Sequence, residues 1–176
     1  CWVTLGSQAR HEQGLSSDQD HAMIIADEAT EEDAPWFLEL ATKVSDGLAA
    51  CGYPYCDGDV MATNPAWRVP VRRWKRVFDR WIGQPDPEAL LRSSIFFDMR
   101  PLHGELGLFY EVRDPVLKAT PKATVFLAHM AKQAVRRRPP IGFFRGFVLE
   151  SEGEHTDTLD LKRGGVGAVV DLARVY

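Results

Sequence analysis

A glycine-serine turn and two carboxylates spaced for one face of an extended strand constrain this chain more than any other feature. Leu5-Gly6-Ser7 is followed, after ten intervening residues, by Asp18-Gln19-Asp20, and the apolar run Ala22-Met23-Ile24-Ile25-Ala26 comes directly behind. Residues two apart on a β-strand project to the same side, so Asp18 and Asp20 are expected side by side, with Gln19 and His21 turned away. Two carboxylates held that close repel each other and call for a cation. Their hard oxygens select Mg²⁺ or Mn²⁺, and Mg²⁺ keeps coordination positions for water and substrate phosphates. The Gly6-Ser7 turn supplies the complement. Trp2 to Leu5 reads as a short strand, and a glycine after it lets backbone N–H groups approach a ligand closely. Ser7 adds a hydroxyl, and Arg10 a planar cation able to reach the same oxygens. Taken singly these pieces are commonplace, since Gly-Ser recurs by chance and Asp-x-Asp often marks a solvated turn. In this order they read as a phosphate-and-metal site of an enzyme that handles a nucleoside triphosphate.

A third acid lies far along the chain. Ser94-Ile95-Phe96-Phe97-Asp98-Met99-Arg100 is rich in β-formers, and as a strand it would place Asp98 on one face with Phe96 and Arg100. A carboxylate in such a run is costly to bury unless paired. Seen alone, Asp98 reads equally well as the partner of Arg100 or Arg92; beside an acid pair that calls for a cation, it gains a role at the metal.

The ordered set of Gly6-Ser7, Asp18-x-Asp20 and Asp98 resembles the nucleotidyltransferase superfamily that includes DNA polymerase β. The wording around it, Gly6-Ser7-Gln8-Ala9-Arg10-His11-Glu12-Gln13 and Ser17-Asp18-Gln19-Asp20-His21-Ala22, is similar to the nucleotidyltransferase domain of bacterial signalling proteins that also carry cyclic-nucleotide-binding and CBS domains. That branch is related to PII-protein uridylyltransferases and glutamine synthetase adenylyltransferases. The likeness continues through Gly52-Tyr53-Pro54, Cys56, Val60-Met61-Ala62, Asn64-Pro65, Trp67 and Phe96-Phe97-Asp98-Met99-Arg100-Pro101. Leu161-Lys162-Arg163-Gly164-Gly165, with Asp171 beyond, resembles the Lys-rich Gly-Gly segment after the catalytic core of those transferases, although Val170 stands where they place an Arg. The resemblance implies an α+β fold, a nucleotidyltransferase-like mixed sheet flanked by helices and followed by a mainly helical C-terminal part. It also implies Asp18, Asp20 and Asp98 as catalytic and metal-binding residues for Mg²⁺ (or Mn²⁺), with Gly6, Ser7, Arg10 and Lys162 contacting the nucleotide.

Composition fits such an enzyme. The 176 residues, 45% hydrophobic and 26% charged, are enough for one substantial core. No apolar run has the length of a membrane span, and no secretory leader opens the chain. A net charge of −4 offers no basic footprint for a nucleic-acid backbone, so neither nucleic acid nor membrane is an expected partner. Cys1, Cys51 and Cys56 are odd in number and lack a zinc spacing, so reduced thiols in a cytoplasmic protein are expected, with Cys51 and Cys56 as core or turn residues. The five histidines match no metal motif. Cys1 in place of Met, with a strand starting almost at once, suggests a fragment of a longer multidomain protein.

Periodicity supplies the rest. Asp33 before Pro35 marks a helix start, and Phe37, Leu40, Ala41, Val44 and Leu48 recur at helical spacing until Gly52, a face expected to pack behind the acidic strand. A second amphipathic helix from Val69 collects Trp74, Val77, Phe78, Trp81 and Ile82 on its core side. Asp86-Pro87 caps a short helix leading directly into the Asp98 strand. Thr120-Pro121 opens a long helix with Val125, Phe126, Leu127, Met130, Ala134 and Val135 as its stripe, closed by Arg136-Arg137-Arg138, which oppose the helix dipole. A packed helix around Phe143, Phe144, Phe147 and Val148 and a short strand from Thr158 to Leu161 complete the expectation. The boundary is expected near Asp114: a catalytic domain over 1–114 and a mainly helical, truncated region over 115–176.

The chemistry so implied is in-line attack by an acceptor hydroxyl on the α-phosphorus of an NTP, releasing pyrophosphate. By analogy with the uridylyltransferases the acceptor is a protein hydroxyl, or else a small molecule. The alternative is a catalytically inactive nucleotide-sensing or protein-binding module that transmits occupancy to attached regulatory domains.

Overall fold

A computed structural model describes residues 1–14, 17–136 and 165–175. They form two compact units, Cys1–Lys122 and Ala123–Tyr176. The architecture is mixed α+β. Four strands, β1 (Trp2–Thr4), β2 (His21–Ile25), β3 (Arg68–Pro70) and β4 (Arg100–His103), make one sheet in the order β3-β2-β1-β4. β1 runs antiparallel to β2 and β4, while β2 and β3 are parallel. The register sets Trp2 opposite Met23, Val3 opposite Ala22 and Thr4 opposite His21. All five residues of β2 are buried, as expected of a strand covered on both faces.

Alternation divides the core between those faces. On one, Met23 and Ile25 pack with Ala41, Phe37 and Leu40 of helix α2 (Ala34–Ala50), the helix expected behind the acidic segment. A 3-10 turn at Glu31–Asp33 precedes it, closed by a capping box between Thr30 and Asp33. On the other face, Val3, Ala22 and Ile24 meet a cluster dominated by aromatic rings. α3 (Val71–Gly83) contributes Trp74, Phe78 and Trp81, whose i, i+4, i+7 spacing turns all three inward. Phe96 sits among them, its ring centroid 4.4 Å from Trp67, 5.5 Å from Trp74 and 5.4 Å from Trp81. α5 (Leu106–Ala119) closes the cluster with Phe109, Val112 and Val116.

Two expectations about strands require correction. The run Ser94–Arg100 is not one strand: α4 (Pro87–Phe96) continues through Ser94, Ile95 and Phe96, and β4 starts only at Arg100. Asp86 caps this helix by accepting a hydrogen bond from Ala89 N at 2.8 Å, with Pro87 in the first turn. Ala89, Ser93 and Phe96 then form its buried stripe. Helical packing of Phe96 outweighs the β-propensity of Ile95-Phe96-Phe97, and Asp98 lies in the turn between α4 and β4. Asp18 and Asp20 likewise stand outside the regular strand, in the segment that leads into β2.

α5 runs continuously through residue 114, and the units divide between Lys122 and Ala123. Thr120–Lys122 is a 3-10 turn, so α6 (Thr124–Arg136) begins later than Thr120-Pro121 suggests. Of the expected stripe, Phe126 and Met130 are buried, but Val125 is 62% and Val135 83% exposed. α6 packs against α7 (Gly167–Val175). The helix expected at Phe143–Val148, the strand at Thr158–Leu161, and Arg137, Arg138 and Lys162 lie outside the described residues. Among the described residues no helix is long and apolar enough to cross a membrane.

Candidate metal and phosphate site

Although β2 begins at His21, the segment before it keeps a strand's alternation. Ser17, Gln19 and His21 are buried, whereas Asp18 and Asp20 between them are half-buried. Leu5 N donates to Asp20 O at 2.9 Å, carrying the β1–β2 pairing one step past the regular ladder. The two carboxylates therefore share a side, and Gln19 and His21 turn inward.

That inward pair builds the frame. Gln19 Nε2 donates to Ser45 O at 3.0 Å and to Tyr53 O at 2.8 Å, tying the acidic segment to α2 and to the loop after it. Its Oε1 lies 3.0 Å from His21 Nε2, while His21 Nδ1 accepts from Ala62 N at 3.0 Å. Because Nδ1 accepts, the neutral ring carries its proton on Nε2 and donates it to Gln19. Trp2 covers the imidazole, with ring centroids 4.6 Å apart.

Burial of this ring lowers the His21 pKa from its ordinary 6.5 to about 4. The sign of the pH dependence follows. Between pH 6.5 and about 4 the unfolded chain takes up a proton that the native imidazole refuses, so this contribution is complete above 6.5 and is lost as pH falls towards 4. It amounts to about 3 kcal/mol. Urea unfolding at a series of pH values should show that decline, and an NMR titration of His21 should find its midpoint near 4; a midpoint at 6.5 would contradict the assignment.

The same frame brings in a residue that sequence spacing did not single out. Gln19 N donates to Pro54 O at 3.0 Å and His21 N to Val60 O at 3.1 Å, which pins the loop on both sides of Cys56. One oxygen from each of Asp18 and Asp20 and the Cys56 sulfur all lie within 4.8 Å of one another. Burial, with Asp20 nearby, pushes the Cys56 thiol up to about 11.

Gly6 and Ser7 form the first turn of the short helix α1 (Gly6–Ala9). Gly6 has φ +52°, a conformation L side chains rarely adopt, and a Cβ there would stand 3.4 Å from Asp20 Oδ2. The small-residue turn and the second carboxylate are thus neighbours, as the phosphate-and-metal pattern requires.

Arg10 is engaged elsewhere. Its Nη1 pairs with Asp98 Oδ2, and its Nε and Nη2 reach Glu12 Oε2 at 2.9 and 2.8 Å. Burial opposes the guanidinium charge, but Glu12 and Asp98 more than offset it and hold the Arg10 pKa above its ordinary value. Neither arginine nearer in sequence pairs with Asp98 in that way. Arg92 lies over the Trp67 ring at 5.1 Å, and Arg100 donates to Ala9 O at 3.0 Å and Gln8 O at 3.2 Å. Asp18 and Asp20 come together with Cys56, whereas Asp98 is paired with Arg10, directly after α1.

Comparison with known families places both ends of the chain. Residues 1–88 match the family described as Putative nucleotidyltransferase DUF294, and residues 124–176 match that described as Putative nucleotidyltransferase substrate binding domain. No curated protein and no solved structure matches the chain. With all three clustered donors and the Gly6-Ser7 turn inside the first matched segment, the chain belongs to the putative nucleotidyltransferase family DUF294.

Proposed function

We propose that this chain is a metal-dependent nucleotidyltransferase that moves a nucleoside monophosphate from an NTP to a hydroxyl, with a regulatory protein as acceptor in cytoplasmic signal transduction. The observation that carries the proposal is the convergence of the Asp18 and Asp20 carboxylates beside the Gly6 turn. Two half-buried hard-oxygen ligands fit Mg²⁺ or Mn²⁺, which when bound offsets the charge of the triphosphate. Gly6 and Ser7 would line the phosphates at the turn, and Lys162 is offered as a further contact by resemblance. Asp98 would take the proton of the acceptor hydroxyl as its oxygen attacks the α-phosphorus, the bond to pyrophosphate breaking in line. Arg10 would hold Asp98 for that step through their ion pair, and exchange of the guanidinium onto phosphate would release it.

The same ion pair favours a second reading, a nucleotide-sensing module in which Asp98 stays with Arg10 and no proton is taken. The assay that separates the two supplies each labelled NTP with Mg²⁺ or Mn²⁺ and a lysate from the source, using the longest available form of the protein. Label transfer accompanied by pyrophosphate supports the transferase. Metal-dependent binding of a nucleotide without pyrophosphate supports the sensor, and absence of metal-dependent nucleotide binding sinks both.

A further inference from the structure

The cluster beside the Gly6 turn contains a donor of a different kind from its two carboxylates. Asp18, Asp20 and Cys56 each offer one atom, all within 4.8 Å of one another, and each residue is half-buried, so an ion can reach the site from solvent. In a tetrahedral site with metal–oxygen bonds near 2.0 Å and metal–sulfur near 2.3 Å, neighbouring donors stand ~3.5 Å apart. The three atoms need to close by at most about an ångström and a third. They also sit on a braced scaffold: the buried Gln19 between the aspartates bonds Tyr53 O, and backbone bonds to Pro54 O and Val60 O hold the loop either side of Cys56. No disulfide takes the thiol, since Cys1, Cys51 and Cys56 are all free cysteines, and its hydrogen bonds include one to Asp20 within the cluster itself.

We propose that Cys56 is a third protein ligand at the Asp18–Asp20 site, which thereby takes a borderline-soft divalent cation of the Zn²⁺ or Co²⁺ class more tightly than Mg²⁺. This rests on the reading of the two aspartates as a cation-holding pair. Hard Mg²⁺ uses the carboxylates alone, because sulfur is a poor ligand for it. A Zn²⁺-class ion adds the sulfur; the thiol loses its proton to solvent as the metal–sulfur bond forms, and a fourth position remains for water or a phosphate oxygen. The two classes of cation then compete for one place, and Cys56 sets the balance between them.

Titration with Co²⁺ alone tests this without reference to turnover. The parent protein should develop the thiolate-to-cobalt charge-transfer band in the near ultraviolet. Cys56→Ser should lose the band and bind Co²⁺ at least about tenfold more weakly, while Mn²⁺ binding followed by electron paramagnetic resonance stays the same. Cys51→Ser should keep the band. Cobalt bound without the band in the parent, or a band and affinity unaltered by Cys56→Ser, would overturn the proposal and leave the acid pair standing. Co²⁺ and Mn²⁺ binding that both survive Asp18→Asn/Asp20→Asn would overturn the acid pair itself. Should Cys56→Ser not fold, the parent's cobalt spectrum still decides.

Discussion

Asp20→Asn should lower nucleotidyl transfer by roughly 10³-fold or more, with Asp18→Asn close behind, while both variants unfold in urea at the parent midpoint. Asparagine keeps the shape of the side chain but removes the charge that a divalent cation needs. Metal-assisted charge stabilisation is worth several kcal/mol in the transition state, and each 1.36 kcal/mol is tenfold in rate. The fold should tolerate the change, because the contact that joins this position to β1 uses backbone: Leu5 N donates to Asp20 O. The cluster should also be selective among acids. Asp57, exposed and adjacent to Cys56, lies outside it, so Asp57→Asn serves as the control and should leave transfer unaffected. Rates for Asp20→Asn within a few-fold of the parent, measured as pyrophosphate release at saturating NTP and Mg²⁺, would remove the aspartate pair from the chemistry.

The acid pair was legible because its spacing is local. Period-two alternation predicts Asp18 and Asp20 on one side and Gln19 and His21 on the other, and the burial pattern follows that rule even though β2 starts at His21. α3 was legible for a similar reason, since Trp74, Phe78 and Trp81 repeat at helical spacing. α4 was not. Its buried stripe passes through Ser93, a small polar residue that hides the helical period, and Ile95-Phe96-Phe97 imitates a strand. Cys56 was hidden more deeply. It reaches the carboxylates only because Gln19 and His21 fasten a distant loop through backbone carbonyls and amides, a contact that no spacing encodes. The Arg10–Asp98 pair is of the same type: Arg92 and Arg100 are nearer in sequence, but Trp67 and the α1 carbonyls occupy them. Local periods therefore set most of the elements and two of the cluster's three donors, while long-range hydrogen bonds complete it.

Trp74→Ala should cost about 3–5 kcal/mol of folding stability, the range for truncating a large buried aromatic side chain. Trp74 is fully buried, and its ring lies 6.1 Å from Trp67 and from Phe78 and 5.5 Å from Phe96, so neighbouring rings line the space it would leave. Rigid rings collapse poorly into a void, which places the loss towards the upper part of that range. The indole also donates through Nε1 to Met23 O at 3.2 Å, tying α3 to the strand that follows the acids. Trp74→Phe isolates this tie: most of the ring volume stays, the donor goes, and a loss of about 0.5–1.5 kcal/mol is expected from the broken hydrogen bond, since the β2–β3 pairing leaves Met23 O its ladder partner. Against a typical total of roughly 5–15 kcal/mol, the alanine variant would populate unfolded chain near body temperature, whereas the phenylalanine variant would stay folded. Urea unfolding of both variants tests the ordering. A Trp74→Ala loss under about 1 kcal/mol would mean that Trp74 is not the fully buried centre of the ring cluster. Metal binding per folded molecule should be unchanged in Trp74→Phe, because the Asp18–Asp20 pair is set by Gln19, His21 and the β1–β2 register rather than by the indole.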